Sequence, residues 1–277
     1  MCSGGSMPVL GIGTWEMGER ATRRAGEVAA LRLALELGMV MIDTAEMYGE
    51  GGAEEVVGEA IAGSRNKAFL VSKVYPHNAT RRGVVAACKR SLKRLGTDYL
   101  DLYLLHWRGS VPLAQTVAGF EELKSGGQIR AWGVSNFDTS DMEELLAAPG
   151  GSHCAANQIL YHLQERAIEH AVIPWCEKNG VAVVAYSPFG HGRFPGPNTK
   201  GGRVLRDAAA AHGATPRQVA LRFLLRRPSL FAIPKASNPE HAADNAGAGD
   251  LRLTDEELAR IDAAFPRGPR PRELPML

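Results

Sequence analysis

Four side chains that could act together on a proton stand at, or just beyond, the ends of strand-like stretches of this sequence. Asp43, Lys73 and His106 each close an apolar run, and Tyr48 follows Asp43 by five residues. If these runs are parallel strands of one barrel, their carboxyl ends open at the same face. The sequence therefore predicts one cluster that contains a carboxylate, an ammonium, an imidazole and a phenol.

Such a cluster is suited to passing a proton from Tyr48 to a carbonyl oxygen. An isolated tyrosine has a pKa of about 10 and is a reluctant acid near neutrality. The Lys73 ammonium favours the phenolate and is expected to lower the pKa of Tyr48, while Asp43 keeps the buried Lys73 charged. His106 would hydrogen-bond to the phenol or to the substrate oxygen, and so orient and polarise the carbonyl.

Each of these residues also has an ordinary explanation when it is considered alone. Asp43 could cap a loop, Lys73 could reach solvent, and His106 could be a hydrogen-bonded core residue. Tyr48 could be a loop tyrosine. Together these explanations lose weight, because three neighbouring strands would then present ionisable groups to one face by coincidence.

Short β-type apolar runs alternate with helical patterns along the chain. The strand-like runs are Val9–Thr14, Met39–Asp43, Ala68–Val74, Tyr99–His106, Ile129–Val134, Ala155–Leu160, Val181–Tyr186 and Phe231–Pro234. Helical spacing marks Ala25–Leu37, Ala53–Ala62, a stretch from Thr80, Leu113–Lys124, Asp138–Ala147, Ile168–Lys178, Val204–His212 and Pro216–Arg226. This alternation predicts a single (β/α)₈ barrel domain over residues 1–277, with an irregular tail from about residue 266. The alternative, an open doubly wound sheet, would require a G-x-G-x-x-G turn that Gly11–Gly13 does not continue.

Capping residues mark the starts of several helices. Thr215 and Asn238 each precede a proline, which suits the first helical position because its missing N–H leaves no hydrogen bond unmade. Thr254 and Glu257 have the spacing of a capping box.

Composition and charge exclude several classes of protein. The 277-residue chain has 32 basic and 30 acidic side chains, and its net charge of +2 gives no electrostatic signature of nucleic-acid or membrane binding. No CxxC pair occurs among Cys2, Cys88, Cys154 and Cys176, so neither a disulfide framework nor a zinc site is indicated. The sequence shows no signal-peptide pattern and no apolar stretch long enough to span a membrane. These features predict a cytoplasmic protein.

Eight short motifs occur in a fixed order along the chain. They are GTW at Gly13–Trp15, DTAEMYG at Asp43–Gly49, SK at Ser72-Lys73, LDLYLLHW at Leu100–Trp107, GVSNF at Gly133–Phe137, NQ at Asn157-Gln158, AYSPFG at Ala185–Gly190 and IPKAS at Ile233–Ser237. In this order they resemble the aldo-keto reductase superfamily, from Pro8 to the helix that follows Thr254. The resemblance implies NADPH-dependent reduction of aldehydes and ketones to alcohols, without a metal, and Tyr48 as the general acid. By the same resemblance the catalytic tetrad is Asp43, Tyr48, Lys73 and His106.

The resemblance also places a nicotinamide dinucleotide across the mouth of the barrel, without a Rossmann domain. Side chains at the ends of strands five and six would hold the nicotinamide carboxamide, and Tyr186 would stack on its ring. Lys235 and the backbone N–H groups of the next helix start would form an anion site for the 2′-phosphate of NADPH. Many family members carry arginine where this chain has His241, so NADH stays open as an alternative. The expected cofactor contacts are Thr14, Trp15, Asp43, Ser135, Asn136, Gln158, Tyr186, Ser187, Pro188, Lys235, Ala236, Ser237, Asn238, His241, Asp244 and Asn245.

Aromatic residues beside the tetrad would form an apolar pocket for a small carbonyl substrate. The expected substrate contacts are Trp15, Tyr48, His106 and Trp107, with Phe137 as a further wall residue. The loop Phe189–Gly202 would close over the bound cofactor, or it is an ordinary surface loop. The DTAEMYG and IPKAS variants resemble bacterial family members that reduce methylglyoxal and other small aldehydes, and the family suggests a monomer.

Two functions from other classes remain as alternatives. A barrel that binds NADPH and regulates a partner would hold the cofactor tightly but turn over no carbonyl, and the complete tetrad argues against it. A metal-dependent hydrolase could use Asp43 and His106, but the sequence contains no HxH pair.

Overall fold

A computed structural model describes residues 7–277 and contains one eight-stranded sheet in the order β1 to β8. The strands are β1 (Gly11–Gly13), β2 (Met41–Asp43), β3 (Phe69–Val74), β4 (Leu100–Leu105), β5 (Ile129–Ser135), β6 (Ala156–Leu160), β7 (Ala182–Tyr186) and β8 (Leu230–Ala232), and each pairs in parallel with the next. Bridges from Leu10 to Ala232 and from Gly13 to Lys235 join the first strand to the last. The predicted (β/α)₈ barrel is confirmed.

Helices connect the strands in the expected alternation. They are α1 (Arg24–Glu36), α2 (Gly52–Ile61), α3 (Arg81–Leu95), α4 (Leu113–Ser125), α5 (Thr139–Ala147), α6 (Val172–Lys178), α7 (Lys200–Ala211), α8 (Pro216–Leu224), α9 (Pro239–Ala246) and α10 (Asp255–Ala264). Two helices, α7 and α8, separate β7 from β8. Among the helices of residues 7–277, none combines the length and the apolar character that a membrane crossing requires.

Side chains along each strand point alternately into and out of the barrel. Inside the barrel, the polar site residues lie directly above a layer of apolar side chains. Met41 and Val71 belong to a buried apolar cluster to which β2, β3, β4, β6 and β7 contribute. Asp43 and Lys73 follow them by two residues, and side chains two apart on a strand point to the same face. Both polar side chains therefore point inward, one layer nearer the C-terminal mouth than the apolar cluster.

Two helix starts differ from the sequence prediction by more than one residue. Helix α6 begins at Val172, not at Ile168, because a longer helix would place Pro174 in its interior, where proline breaks a hydrogen bond and clashes with the preceding turn. In the observed helix Pro174 lies in the first turn, where a backbone N–H has no intrahelical acceptor, so its absence costs no hydrogen bond. Helix α7 begins earlier than predicted, at Lys200, because the Thr199 side chain accepts a hydrogen bond from the N–H at the third helical position.

The predicted caps are present. Thr215 and Thr254 each form a capping box with the residue three positions later. Asn238 Oδ1 accepts a hydrogen bond from the His241 N–H at 2.8 Å and caps α9. After α10 the chain returns to the mouth of the barrel, where the Leu277 N–H donates to Tyr186 Oη at 3.4 Å.

We expect Thr254→Ala to lower the free energy of unfolding by about 1 kcal/mol. The substitution removes the acceptor that lies 3.2 Å from the Glu257 N–H. Urea denaturation of the two chains measures the difference. Thr254→Ser, which keeps the hydroxyl, is the matched control, and an equal loss in both variants would contradict a capping role.

Candidate active site

Lys73 joins the residues that the sequence predicted to meet at the barrel mouth. Asp43 ends β2, Lys73 lies in β3, and Tyr48 begins the turn that follows β2. Lys73 Nζ donates hydrogen bonds to Asp43 Oδ1 at 2.6 Å and to the Thr44 carbonyl oxygen at 2.8 Å. A third bond, of 3.1 Å, joins Lys73 Nζ to Tyr48 Oη. The Lys73 side chain is 0% exposed, so its charge acts on Asp43 and Tyr48 without intervening solvent.

Two further side chains hold Asp43. Gln158 Nε2 donates to Asp43 Oδ2 at 2.7 Å, and Thr14 Oγ1 donates to the Asp43 carbonyl oxygen at 3.0 Å. The sequence predicted both residues only as cofactor contacts. Because Lys73 and Gln158 occupy different carboxylate oxygens, the orientation of Asp43 is fixed from two sides.

Burial and charge act in opposite directions on the pKa values of this group. Burial lowers the pKa of Lys73, but the Asp43 carboxylate and the Tyr48 hydroxyl raise it by more, so the ammonium form is favoured. Burial raises the pKa of Asp43 against the opposing effects of Lys73 and Gln158.

The expected lowering of the Tyr48 pKa is wrong as a net effect. Burial raises the pKa of Tyr48, and the Lys73 ammonium acts in the predicted direction without overcoming the loss of solvent. Tyr48 is therefore a protonated phenol at neutral pH, hydrogen-bonded to a cation.

His106 lies beside Tyr48 as a neutral imidazole. The two ring centroids are 5.7 Å apart and the ring planes are inclined by 72°. Burial, reinforced by the charge of Lys73, lowers the pKa of His106 to about 2. His106 Nδ1 is buried and has no hydrogen-bond partner among residues 7–277. A neutral imidazole at this place can bond to an oxygen atom without bringing a second positive charge next to Lys73.

The low pKa of His106 predicts an acid-sensitive fold. An unfolded histidine takes up a proton below a pH of about 6.5, whereas folded His106 stays neutral down to about 2. The free energy of unfolding is therefore unaffected by this group above about pH 6.5. Below that pH it falls by about 1.4 kcal/mol for each pH unit, because only the unfolded chain takes up the proton. Urea denaturation between pH 7 and pH 4 should show a shallower pH dependence for His106→Gln than for the wild-type chain. Parallel curves for the two chains would contradict the neutral imidazole.

Indole rings flank the phenol and the imidazole, as the sequence predicted. The Trp15 ring packs edge-on against Tyr48, with centroids 4.9 Å apart. The Trp107 ring lies 4.9 Å from the His106 ring. Trp15 keeps 38% of its surface exposed, so one side of the mouth is an accessible apolar surface.

Sequence reasoning missed one wall residue and misplaced another. The Tyr75 ring lies 5.7 Å from Trp107 and 6.5 Å from His106, and its position just beyond the end of β3 was the available signal. Phe137, expected in the wall, is instead 0% exposed and packs in the apolar core.

The residues expected to hold the nicotinamide carboxamide meet next to His106. Ser135 Oγ donates to the Gln158 carbonyl oxygen at 2.8 Å. Tyr186 Oη donates to Asn136 Oδ1 at 2.9 Å, and Asn136 Nδ2 donates to the His106 carbonyl oxygen at 3.3 Å. Asn136 has a left-handed backbone conformation, with φ of 60°, that turns its side chain out of the strand direction.

Lys235, Ala236 and Ser237 follow β8 on the opposite side of the mouth. Lys235 Nζ lies 3.2 Å from Glu16 Oε2, and both side chains are partly exposed. Glu16 was not among the expected site residues. Glu16 directly follows the GTW motif, but nothing local in the sequence indicates its contact with Lys235, which lies 219 positions later in the chain.

Helix α9 carries the residues expected at the adenine end of the cofactor. Asn238 caps the helix, and His241 is exposed in its first turn. Asp244 Oδ1 accepts a hydrogen bond from Thr215 Oγ1 at 2.9 Å. Asn245 Nδ2 is buried and has no partner within residues 7–277, so a donor is available there for a ligand.

The segment after β7 is partly helical. Ser187 has a left-handed conformation, with φ of 48°, and Pro188 follows it. The expected loop Phe189–Gly202 is irregular only up to Thr199, where α7 is capped. Whether it closes over a cofactor stays a prediction.

The cysteines of the described residues are free thiols. Burial raises the pKa values of Cys88, Cys154 and Cys176 to about 12 each, which keeps them protonated. Cys2 lies outside the described residues. Within residues 7–277, no three or more His, Cys, Asp or Glu side chains are grouped so that they could hold a metal ion.

Comparisons with known proteins agree on one family. The sequence model of the Aldo/keto reductase family matches residues 9–265. Methylglyoxal reductase YeaE of Escherichia coli (strain K12) is 51% identical over 262 residues, which cover 94% of this chain and 92% of the relative. Methylglyoxal reductase DkgB of Salmonella typhi is 32% identical over 266 residues, with 93% of each chain covered.

Solved structures of similar sequence share the whole fold. The crystal structure of an aldo/keto reductase from Klebsiella pneumoniae in complex with NADP and acetate superposes with a TM-score of 0.93. Its sequence is 48% identical, and the alignment covers 98% of this chain and 96% of that one. A second structure of an aldo-keto reductase from the same organism, in complex with NADPH, gives the same TM-score and identity.

Proposed function

The chain belongs to the aldo/keto reductase family and reduces carbonyl groups with NADPH, and we propose that Tyr48 supplies the proton and that small 2-oxoaldehydes such as methylglyoxal are the substrates. The proposal for the proton donor is carried by the bond of 3.1 Å between Lys73 Nζ and Tyr48 Oη. NADPH, when bound, supplies the hydride that reduces the carbonyl carbon. The residues of this chain hold the substrate oxygen and complete the reaction with a proton.

Tyr48 passes its hydroxyl proton to the carbonyl oxygen while the carbon gains the hydride. The new O–H bond completes the alcohol, and the electron pair of the broken Tyr48 O–H bond stays on the phenolate. Lys73 stabilises that phenolate, since its ammonium already lies within hydrogen-bond distance. Asp43 keeps Lys73 charged and in place.

His106 positions the carbonyl. Its imidazole is neutral, so it can donate one N–H to the substrate oxygen without repelling Lys73. With Tyr48 on one side of the oxygen and His106 on the other, the two donors would fix the carbonyl plane between the Trp15 and Trp107 rings.

The polar residues around the mouth fit a nicotinamide dinucleotide. Asn136 and Tyr186 already form a hydrogen-bonded unit beside His106, where the nicotinamide would lie. At the other end, the buried Asn245 Nδ2 has no partner within the described part of the chain, and an adenine nitrogen could accept its hydrogen bond. We propose the full set as cofactor contacts: Thr14, Trp15, Asp43, Ser135, Asn136, Gln158, Tyr186, Ser187, Pro188, Lys235, Ala236, Ser237, Asn238, His241, Asp244 and Asn245.

The substrate class follows from the relatives and from the pocket wall. Two relatives are named methylglyoxal reductases. The Trp15 ring lies beside the phenol, and the Trp107 and Tyr75 rings lie on the side of His106, so all three can contact the carbon chain of a small aldehyde.

We also propose that the chain acts as one domain, as a monomer, in the cytoplasm. The free cysteines support a reducing compartment. Exposed large apolar residues are few within residues 7–277, where they are Val9, Trp15, Leu37, Met276 and Leu277, and so small a number is usual for a monomer.

The decisive assay follows NADPH absorbance with methylglyoxal, a nitrobenzaldehyde and a bulky ketone, and repeats each with NADH. We expect turnover of both aldehydes, little turnover of the ketone, and preference for NADPH. Tight NADPH binding without turnover of any carbonyl would favour the rival function, a regulatory barrel. Faster reduction of the bulky ketone than of methylglyoxal would contradict the proposed substrate class.

A further inference from the structure

The ion pair between Lys235 and Glu16 spans the seam where the barrel closes. Lys235 pairs with Gly13 across this seam, and the Gly13 N–H donates to the Pro234 carbonyl oxygen at 3.0 Å. Glu16 lies three residues beyond Gly13, and its Oε2 is 3.2 Å from Lys235 Nζ. Within residues 7–277, Glu16 is the only carboxylate recorded within 4.0 Å of this ammonium. The backbone therefore holds both partners at one edge of the mouth.

Glu16 adopts a backbone conformation that glutamate does not favour. Its φ is 62°, in a turn that the Met17 N–H closes onto the Thr14 carbonyl oxygen at 3.0 Å. Glycine adopts this left-handed conformation without steric cost, whereas a residue with a Cβ atom does not. The backbone of this turn would suit glycine better than glutamate. What Glu16 adds to the turn is its carboxylate.

A lysine paired with a carboxylate is less available to a phosphate. The ammonium binds phosphate as a point charge, and a carboxylate at 3.2 Å competes for it. The carboxylate also repels any anion that approaches the same ammonium. Both effects weaken phosphate binding, and both are moderate because the pair is partly exposed.

We propose that Glu16 competes with a phosphate group of NADPH for Lys235 and so weakens cofactor binding and speeds cofactor release. This inference rests on the proposed function, in which Lys235 contacts the cofactor. Glu16 acts on cofactor affinity through Lys235, because the proton donor Tyr48 is hydrogen-bonded to Lys73 and not to this ion pair. It is a residue that tunes cofactor exchange.

Glu16→Gln tests the competition with its backbone and size retained. We expect NADPH to bind about three- to tenfold more tightly, measured by calorimetric titration of the folded chain. The gain should shrink in 1 M salt, where charges are screened within about 3 Å. Glu19→Gln, which removes an exposed carboxylate from the same segment, is the matched control and should leave the affinity unchanged. An unchanged or weaker affinity in Glu16→Gln would overturn the proposal.

The route of the effect is tested in a double-mutant cycle with Lys235→Gln. If Glu16 acts through Lys235, Glu16→Gln gains nothing when Lys235 is already replaced. A gain that persists in that background would mean long-range repulsion and would overturn the competition. Titration with 2′,5′-ADP and with ADP shows which phosphate is involved, because only the first carries the 2′-phosphate. A wild-type chain that does not bind NADPH would instead reject the proposed function, and this inference with it.

Discussion

We expect Tyr48→Phe to lower kcat for aldehyde reduction by about 10²- to 10⁴-fold, the range that a positioned general acid contributes. The phenylalanine ring keeps the edge-on contact with Trp15 but has no proton to give. The hydroxyl bonds to Lys73, and Tyr48 is not among the proposed cofactor contacts. Its removal should therefore leave cofactor binding intact. The loss should therefore appear in kcat, with the dissociation constant of NADPH unchanged.

Tyr99→Phe is the matched control. Tyr99 precedes β4, at the far end of the barrel, and its ring contacts the guanidinium groups of Arg65 and Arg130. It loses the same hydroxyl without touching the mouth, so it should keep the wild-type kcat. A Tyr48→Phe variant with wild-type turnover would remove Tyr48 as the proton donor.

We expect Lys73→Met both to remove activity and to destabilise the fold. The substitution leaves Asp43 buried, with 3% of its side chain exposed, and without its positive partner. Breaking a buried ion pair from one side costs about 3–5 kcal/mol of folding free energy. It also removes the charge that opposes the effect of burial on the Tyr48 pKa, so the phenol becomes a still weaker acid.

The double variant Asp43→Asn/Lys73→Met separates the two losses. A neutral asparagine leaves no unpaired buried charge, so the urea midpoint should return most of the way to that of the wild-type chain. Turnover should stay as low as in Lys73→Met, because the ammonium is still absent. Recovery of turnover along with stability would show that Lys73 serves the fold and not the reaction.

The sequence predicted the barrel and the meeting of Asp43, Lys73 and His106 for the same reason. Residues two apart on an inward-facing strand share one face, so an apolar position inside the barrel fixes where the next polar side chain points. The meeting of residues at or next to the ends of β2, β3 and β4 could therefore be predicted without knowledge of any side-chain contact. Capping residues likewise placed the starts of α8, α9 and α10, since a cap depends on neighbours within one turn.

What the sequence did not reveal depends on contacts between distant segments or on the balance of opposed effects. The partner of Lys235 is fixed only when β1 and β8 meet, and no local pattern encodes that register. The contact of Gln158 with Asp43 spans 115 positions. The net pKa of Tyr48 required the extent of burial, which the identity of its neighbours does not provide.

The seam between the first and last strands also orders the events of synthesis. Every other strand pair joins consecutive strands and can form as the chain leaves the ribosome, while the contact of Gly13 with Lys235 must wait until most of the chain has been made. Until then one edge of β1 is paired with β2 and the other edge has no partner. The open edge is able to associate with another nascent chain. A truncation before β8 would leave that edge permanently open, and we expect such a chain to aggregate more readily than the full chain.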